Sequence, residues 1–373
     1  MHNYSIKIVI LFIFISGLCL SHNPSGNRKI EFPDLPGFKT VVCDLHMHSV
    51  FSDGSVWPDI RIDEAKKDGV DVIAVTEHLE YQPWKEDIPN PDRNRSFEYH
   101  SYFAKDTDVM VVNGSEITRE MPPGHANAIF IKDANKLLVE NPIDAFKEAR
   151  KQDAFIFWNH PYWISQSPDA GVPVSELHYA LIEDGLIEGI EIVNDTTFSN
   201  DAMQLALDHD LTMLGTSDIH GIVDWQYKIP SGGHRPVTLV FVTEKTESGL
   251  KRALRDGQTV VWFNKKLIGK DDFLLPLIEA SLKIESAKYI KNSSVVHVKI
   301  ANYSDAPYVL RNKSAYDFYN TTDLVTISPH SSSIVDVRTL ETKTRFDLQF
   351  EVLNAVNAPF KHPTIRFRVR PQK

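Results

Sequence analysis

Residues 40–48 read Thr-Val-Val-Cys-Asp-Leu-His-Met-His, an apolar run that passes directly into two histidines one residue apart. The run predicts a strand, Thr40–Leu45. In extended chain the side chains of i and i+2 share a face, so His46 and His48 can hold one ion together while Leu45 and Met47 pack against a neighbouring layer. Asp44 has the same parity and is placed either to orient a ligating imidazole or to make a plain strand-end hydrogen bond. Asp218-Ile219-His220, after Gly215-Thr216-Ser217, repeats the geometry late in the chain. Between these pairs His78 follows Val75-Thr76-Glu77, Glu116 follows Val112-Asn113-Gly114-Ser115, and His160 follows Phe157-Trp158-Asn159.

Working outward, residues 40–264 alternate short apolar runs with amphipathic segments, the β/α alternation of a parallel sheet or barrel. The predicted strands are Thr40–Leu45, Asp71–Thr76, Val109–Val112, Ala128–Ile131, Ala154–Trp158, Ile187–Val193, Thr212–Gly215 and Val237–Val242. Helices fit between them at Ile60–Asp68, Pro142–Gln152, Val174–Glu183, Ala202–His209 and Glu247–Gly257. Each histidine or carboxylate singled out above falls just past a strand's C-terminal end, and in a β/α barrel those ends meet at one rim, where active sites are built. After about residue 275 the pattern changes to period-two alternation with turn residues, which predicts an all-β, sandwich-like module over 275–373. No ligand candidate lies beyond His220, so this module is expected to be a separate packing unit whose deletion near residue 275 leaves the site intact.

The chain has 373 residues, 42% hydrophobic and 24% charged, which excludes disorder, collagen and coiled coil as descriptions of the whole. With 40 Lys+Arg against 50 Asp+Glu the formal charge is −10, which opposes binding to nucleic acid polymers or anionic membrane. A small anionic ligand held through metal is compatible with it. Lys7, the apolar run Ile8–Leu20 and the small residues Cys19 and Ser21 read as a signal peptide, residues 1–21, with a linker over 22–39. The run is too short to span a bilayer, so the mature chain is expected to carry no transmembrane span and to be exported, periplasmic or secreted. A lipoprotein anchored at Cys19 is the alternative. Of the 15 histidines, His2, His22, His100, His178, His209, His297, His330 and His362 have no motif around them and are expected to be structural or solvent-facing.

Asp44-Leu45-His46-Met47-His48-Ser49 with Ser52-Asp53-Gly54, then Ala74-Val75-Thr76-Glu77-His78, resembles the first two motifs of the polymerase-and-histidinol-phosphatase (PHP) family of metal-dependent phosphoesterases. Glu116, His125 in Pro123-Gly124-His125-Ala126-Asn127, His160 in Asn159-His160-Pro161, and Asp218-Ile219-His220 follow in the family order, and the likeness covers residues 40–264. The resemblance implies a distorted (β/α)7 barrel over 40–274 and two or three divalent ions. His46, His48, Glu116 and Asp218 would hold the first. Glu116 would bridge to a second on His125 and His160, and Asp53, His78 and His220 would hold a third. Imidazole with carboxylate suits Zn, Mn or Fe, and the absence of cysteine ligands argues against a closed structural zinc. One departure is Glu77, where much of the family has Asp. With the signal, Glu116-Ile117-Thr118-Arg119 and the appended β module, it looks closer to the secreted bacterial phosphodiesterase branch.

The implied activity is hydrolysis of a phosphate ester, an organic phosphodiester first, by a metal-bridging hydroxide, with Glu116, Asp218 and His220 at the reaction centre. Arg119 and His234-Arg235, beside Gly232-Gly233, are candidates for phosphate contact because a guanidinium pairs with phosphate in bidentate fashion. Trp57, Tyr81, Trp84, Trp158, Tyr162, Trp163 and Trp225 are candidates for pocket walls or for core packing. The alternatives are a phosphomonoesterase of the same family, a metal-dependent amidohydrolase, and an envelope binding protein that keeps metals structurally. A proofreading role on polymerised nucleic acid is disfavoured by the acidic balance and the export signal.

Overall fold

The structure, a computed structural model, describes residues 28–169 and 171–372; the predicted signal peptide, Cys19 included, lies outside them. Strands β1 (Lys39–Asp44), β2 (Val72–Val75) and β3 (Met110–Ile117) pair parallel. β4 (Ala126–Ile129) runs back antiparallel between β3 and β5 (Phe155–Trp158). β6 (Gly189–Asn194), with β7 (Thr197–Phe198) folded onto it, and β8 (Thr212–Thr216) resume the parallel course. On the other side of β1 lie β9 (Val237–Val242), β10 (Thr259–Phe263) and β11 (Lys266–Ile268), each antiparallel to its neighbour. Every residue of β2, β5 and β9 is buried, as expected of strands covered on both faces.

The expected α/β barrel is thus observed, with β4 and β9 reversed relative to an all-parallel reading. Its last seam is closed by hydroxyls rather than a backbone ladder. The Thr238 hydroxyl donates to the Gly215 carbonyl and accepts from the Gly215 amide, both at 2.9 Å, and the Thr259 hydroxyl donates to the Met213 carbonyl at 2.9 Å. Gly215 is required at this seam: a Cβ there would sit 2.2 Å from Val261 Cγ1.

The connecting helices are α1 (Pro58–Asp68), α2 (Arg95–Ala104), α3 (Pro142–Lys151), α4 (Glu176–Glu183), α5 (Asn200–Asp208), α6 (Val223–Gln226), α7 (Glu247–Arg255) and α8 (Asp271–Ser281). The sequence does not predict α2, and the reason is physical. The residues it buries are Ser96, His100 and Ala104, small or polar, while Tyr102 and Phe103 face solvent, so its apolar periodicity is inverted. His178 is structural as expected, buried in the α4 cap with its ring stacked 4.0 Å from that of Trp158.

The C-terminal strands are β12 (Leu282–Tyr289), β13 (Val295–Asn302), β14 (Tyr308–Asn312), β15 (Leu324–Ile327), β16 (Ser332–Arg338), β17 (Phe346–Val352), β18 (Ala355–Val356) and β19 (Thr364–Val369). They form two facing sheets, β12-β13-β16 and β15-β14-β17-β19, the sandwich read from the sequence. The exception is β18, which leaves the sandwich and pairs parallel with β11 at the edge of the barrel sheet. The boundary expected at residue 275 falls inside α8, whose Leu274, Leu277 and Ile278 belong to one apolar core running from Trp262 and Leu267 to Leu282, Val296 and Val298. Separate packing of the module is therefore corrected: barrel and sandwich share a core.

Candidate metal centre

The C-terminal ends of β1, β2, β3, β5 and β8 open on one rim, and because β4 is antiparallel its N-terminal neighbour His125 joins them there. His46 Nε2 and His48 Nε2 face each other at 3.1 Å, and both approach Asp218 Oδ1, at 3.2 and 3.0 Å. Glu116, fully buried, lies at the middle. Its Oε1 is 3.0 Å from His125 Nδ1, 3.5 Å from His160 Nε2 and 3.6 Å from His46 Nε2. Its Oε2 is 2.5 Å from His78 Nδ1 and 3.7 Å from His48 Nε2. Asp53 faces His220 Nε2 at 3.1 Å, His78 Nε2 at 3.4 Å and His48 Nδ1 at 3.8 Å. All nine predicted ligands therefore converge. They do not fall into three independent trios, because His78 joins a group with Glu116 and His125 as well as one with His48, Asp53 and His220.

Whether this set suits cations is decided by its unpaired atoms. Asp53 Oδ1, Glu116 Oε2 and Asp218 Oδ1 are buried without a well-aligned hydrogen bond, and two imidazole nitrogens point at each other between carboxylates. Buried polar atoms of this kind are costly unless something pairs with them, and imidazole plus carboxylate is the donor set of a divalent ion. The residues fit the ions that the sequence implies. The electrostatics agree. Burial would raise the Glu116 carboxyl, but His78, His125 and His46 outweigh it and hold it well below the usual carboxylate range. Burial lowers His48, and His220 and His78 add to this, bringing it to about 4. Against burial, Glu116 and Asp53 push His78 up to about 10. His160 and Asp218 both take left-handed backbone, with φ of 26° and 48°, strain of the sort that clusters at functional sites.

The cleft over this rim encloses about 1350 Å³, with Tyr81, Tyr162, Trp163, Ile164 and Met121 among its walls. Trp163 packs on His125 and His160 at ring distances of 5.9 and 5.3 Å. Of the other aromatics singled out, Trp158 is core, and Trp57, Trp84 and Trp225 are exposed outside the cleft lining.

Three predicted phosphate contacts are corrected. Arg119 does line the cleft, but its guanidinium is taken by Glu80 at 2.7 Å and by the carbonyls of Val139 and Glu140. His234 lies flat on Trp262, ring centroids 3.6 Å apart, with its nitrogens bound to the Arg235 carbonyl and the Lys265 amide. Arg235 is 1% exposed and clamped between Asp44 at 3.1 Å and Asp68 at 2.8 Å. Asp44 in turn accepts from the Ser217 amide, so it makes the plain strand-end bond and orients no imidazole. Arg235→Met is expected to cost about 3–5 kcal/mol of unfolding free energy, because Asp44 loses the one cation that pairs with it among the described residues while Asp68 keeps Arg28. Urea unfolding measures this, and an unchanged KM in the folded variant separates the structural role from substrate contact.

Sequence reasoning missed three groups that support the ligands. Glu191 on β6 is fully buried, 2.8 Å from His46 Nδ1. Arg61 donates to the carbonyls of His48, Ile219 and Gly221, tying the two His-bearing loops together. Glu77 accepts from Ser49, Ser52 and Ser96 and stands behind the ligands. The available signal was an acid set within an apolar run, Gly189-Ile190-Glu191-Ile192-Val193.

Fold and donor set together define a two-domain chain with a metallohydrolase-type barrel and a β-sandwich. The chain belongs to the PHP-like metal-dependent phosphoesterase family. It is 41% identical, with a TM-score of 0.85, to a two-domain protein from Bacteroides vulgatus ATCC 8482 containing a predicted PHP-like metal-dependent phosphoesterase, over 91% of this chain and 98% of that one. An Ig-like domain family matches residues 282–368. A candidate metal-dependent phosphoesterase from Bifidobacterium adolescentis ATCC 15703 is 15% identical over 52% of this chain and 90% of its own, with a TM-score of 0.38. No curated protein matches the chain. Among the described residues no helix is long and apolar enough to cross a membrane.

Proposed function

We propose that the chain hydrolyses a small organic phosphodiester with the help of two or three divalent ions, as a member of the secreted bacterial phosphodiesterase branch. The observation that carries the diester reading is the charge of the cleft. Arg119 is the only Lys or Arg among its described lining residues, and it is spent on Glu80. A dianionic monoester would meet no unpaired lysine or arginine among these described residues, whereas a diester carries a single charge. Export by a signal removed after Ser21, and a small-molecule rather than nucleic acid partner, belong to the same reading.

His46, His48, Glu116 and Asp218 would hold one ion, Glu116 with His125 and His160 a second, and Asp53, His78 and His220 a third. Zn, Mn or Fe suits these donors. When bound, such ions supply Lewis acidity, drawing charge from phosphoryl oxygens and lowering the pKa of water towards neutral. The chain's own residues do the positioning. Asn159 donates to Glu116 Oε1 at 3.0 Å and fixes the carboxylate between the ligand groups. Trp163 packs edgewise or tilted on the rings of His125 and His160 and walls that side of the cleft. His220, with 39% of its side chain exposed, is held through Nδ1 to the Asp218 carbonyl and presents its edge to the cleft.

The test is hydrolysis of bis(4-nitrophenyl) phosphate beside 4-nitrophenyl phosphate, after chelation and with Mn, Zn and Fe(II) supplied separately. The expected result is metal-restored diester turnover with kcat/KM at least tenfold above the monoester. Preference for the monoester would move the assignment to a phosphomonoesterase. Full metal loading without turnover on either would favour the binding protein.

A further inference from the structure

We propose that Glu191 is the positioning residue that fixes His46, His160 and Asp218, ligands of two adjoining ions, relative to one another, a role resting on the reading of the rim as a divalent metal site. Glu191 is fully buried, and both of its oxygens are used twice. Oε1 accepts from His46 Nδ1 at 2.8 Å and from the Thr216 hydroxyl at 2.6 Å. Oε2 accepts from the His160 backbone amide at 2.8 Å and from Asn194 Nδ2 at 2.8 Å, and Asn194 Nδ2 also reaches Asp218 Oδ2 at 3.3 Å. One carboxylate therefore touches a ligand side chain, a ligand backbone and the partner of a third ligand. Those three, His46, His160 and Asp218, have donor atoms close enough to share one ion.

The consequence for His46 is specific. With its Nδ1 committed to Glu191, the ring must turn Nε2 toward His48 and Asp218, so Nε2 is the atom it would offer a cation. The consequence for His160 is in the backbone. Its φ of 26° is strained, and the amide bond to Oε2 holds the chain in that conformation.

A glutamine at 191 separates this role from packing, because it is nearly isosteric but has one acceptor oxygen in place of two. Two donors here cannot adapt together: the His160 amide has no alternative, whereas an imidazole can move its proton. The amide oxygen of Gln is therefore expected to face His160 and its NH2 to face His46, which would take the proton off Nδ1 and place it on Nε2. The experiment uses the full metal-free chain with ¹⁵N-labelled histidine. In wild type, NMR should find His46 Nδ1 protonated, and in Glu191→Gln it should find Nδ1 bare. Zinc affinity, read by competition with a chelator, should fall about 10–100-fold in Glu191→Gln.

A bare Nδ1 in wild type would overturn the proposal without any variant. So would Glu191→Gln keeping the Nδ1 proton with zinc affinity within twofold of wild type. A wild-type chain that takes up no zinc, manganese or iron would instead overturn the metal-site reading beneath it, an outcome distinct from equal affinities.

Discussion

Glu116→Gln is expected to lower diester turnover by about a thousandfold, equivalent to about 4 kcal/mol of transition-state stabilisation, and to reduce the divalent metal retained after dialysis. The geometry is the reason. A single buried carboxylate has one oxygen within 3.6 Å of His46, His125 and His160, and the other within 3.7 Å of His48 and His78. Removing its charge uncouples imidazoles that come from four different strand ends, and it leaves a neutral amide that can present only one acceptor. His78→Ala is expected to cost less, roughly tenfold, by the loss of one imidazole from two overlapping groups. Because His78 Nδ1 touches Glu116 Oε2, its loss should also disturb the central carboxylate, contrary to a third ion that stands apart. Metal content by elemental analysis, measured beside turnover, checks both. Glu116→Gln with near wild-type turnover at full metal content would remove Glu116 from the centre of the mechanism.

The convergence of His46, His48, His78, Glu116, His160, Asp218 and His220 was readable from sequence because a His or carboxylate immediately after an apolar strand has few other uses and strand ends of one barrel share a rim, whereas Asp53 and His125 entered only through the family resemblance. The residues that hold the ligands were not readable for the opposite reason. Arg235 follows Gly232-Gly233 and His234, which from sequence looks like a phosphate loop, yet its partners Asp44 and Asp68 lie 191 and 167 residues away. Nothing local distinguishes a guanidinium aimed at solvent from one clamped in a core. Glu191 was absorbed into an apolar run, although a charge inside a strand buried on both faces has to be paired, and that rule alone would have marked it. Glu77 shows the limit of motif matching. The motif marks it only as a departure from Asp and assigns it no role, whereas its carboxylate is occupied by three serines, one of them on α2, the helix whose polar inward face hid it from the periodicity argument.

The largest effect on stability is expected from ending the chain at residue 274, which should abolish cooperative folding of the barrel as well as the sandwich. That cut lies inside α8, removing Leu277 and Ile278 and uncovering Trp262, Leu267 and Leu274, all 5% exposed or less in the whole chain. Each such side chain returned to water costs about 1.5–3 kcal/mol, so a handful consumes the roughly 5–15 kcal/mol by which a domain is stable. The cut also takes away β18, so β11 becomes an unprotected edge whose Leu267 and Gly269 amides lose the carbonyls of Asn354 and Val356. Leu267→Ala in the full chain probes the same seam with less damage, and it should move a single transition to lower temperature while costing about 2–5 kcal/mol of stability. Circular dichroism melts followed at two wavelengths, with zinc retention alongside, give the answer. Two separate transitions in the full chain, or a chain ending at 274 that melts cooperatively and still holds metal, would show that the sandwich is a passenger. One transition shifted by Leu267→Ala would show that it is part of the wall that keeps the β10–β11 edge, and through β9 the Asp44–Arg235 clamp beneath the ligands, in place.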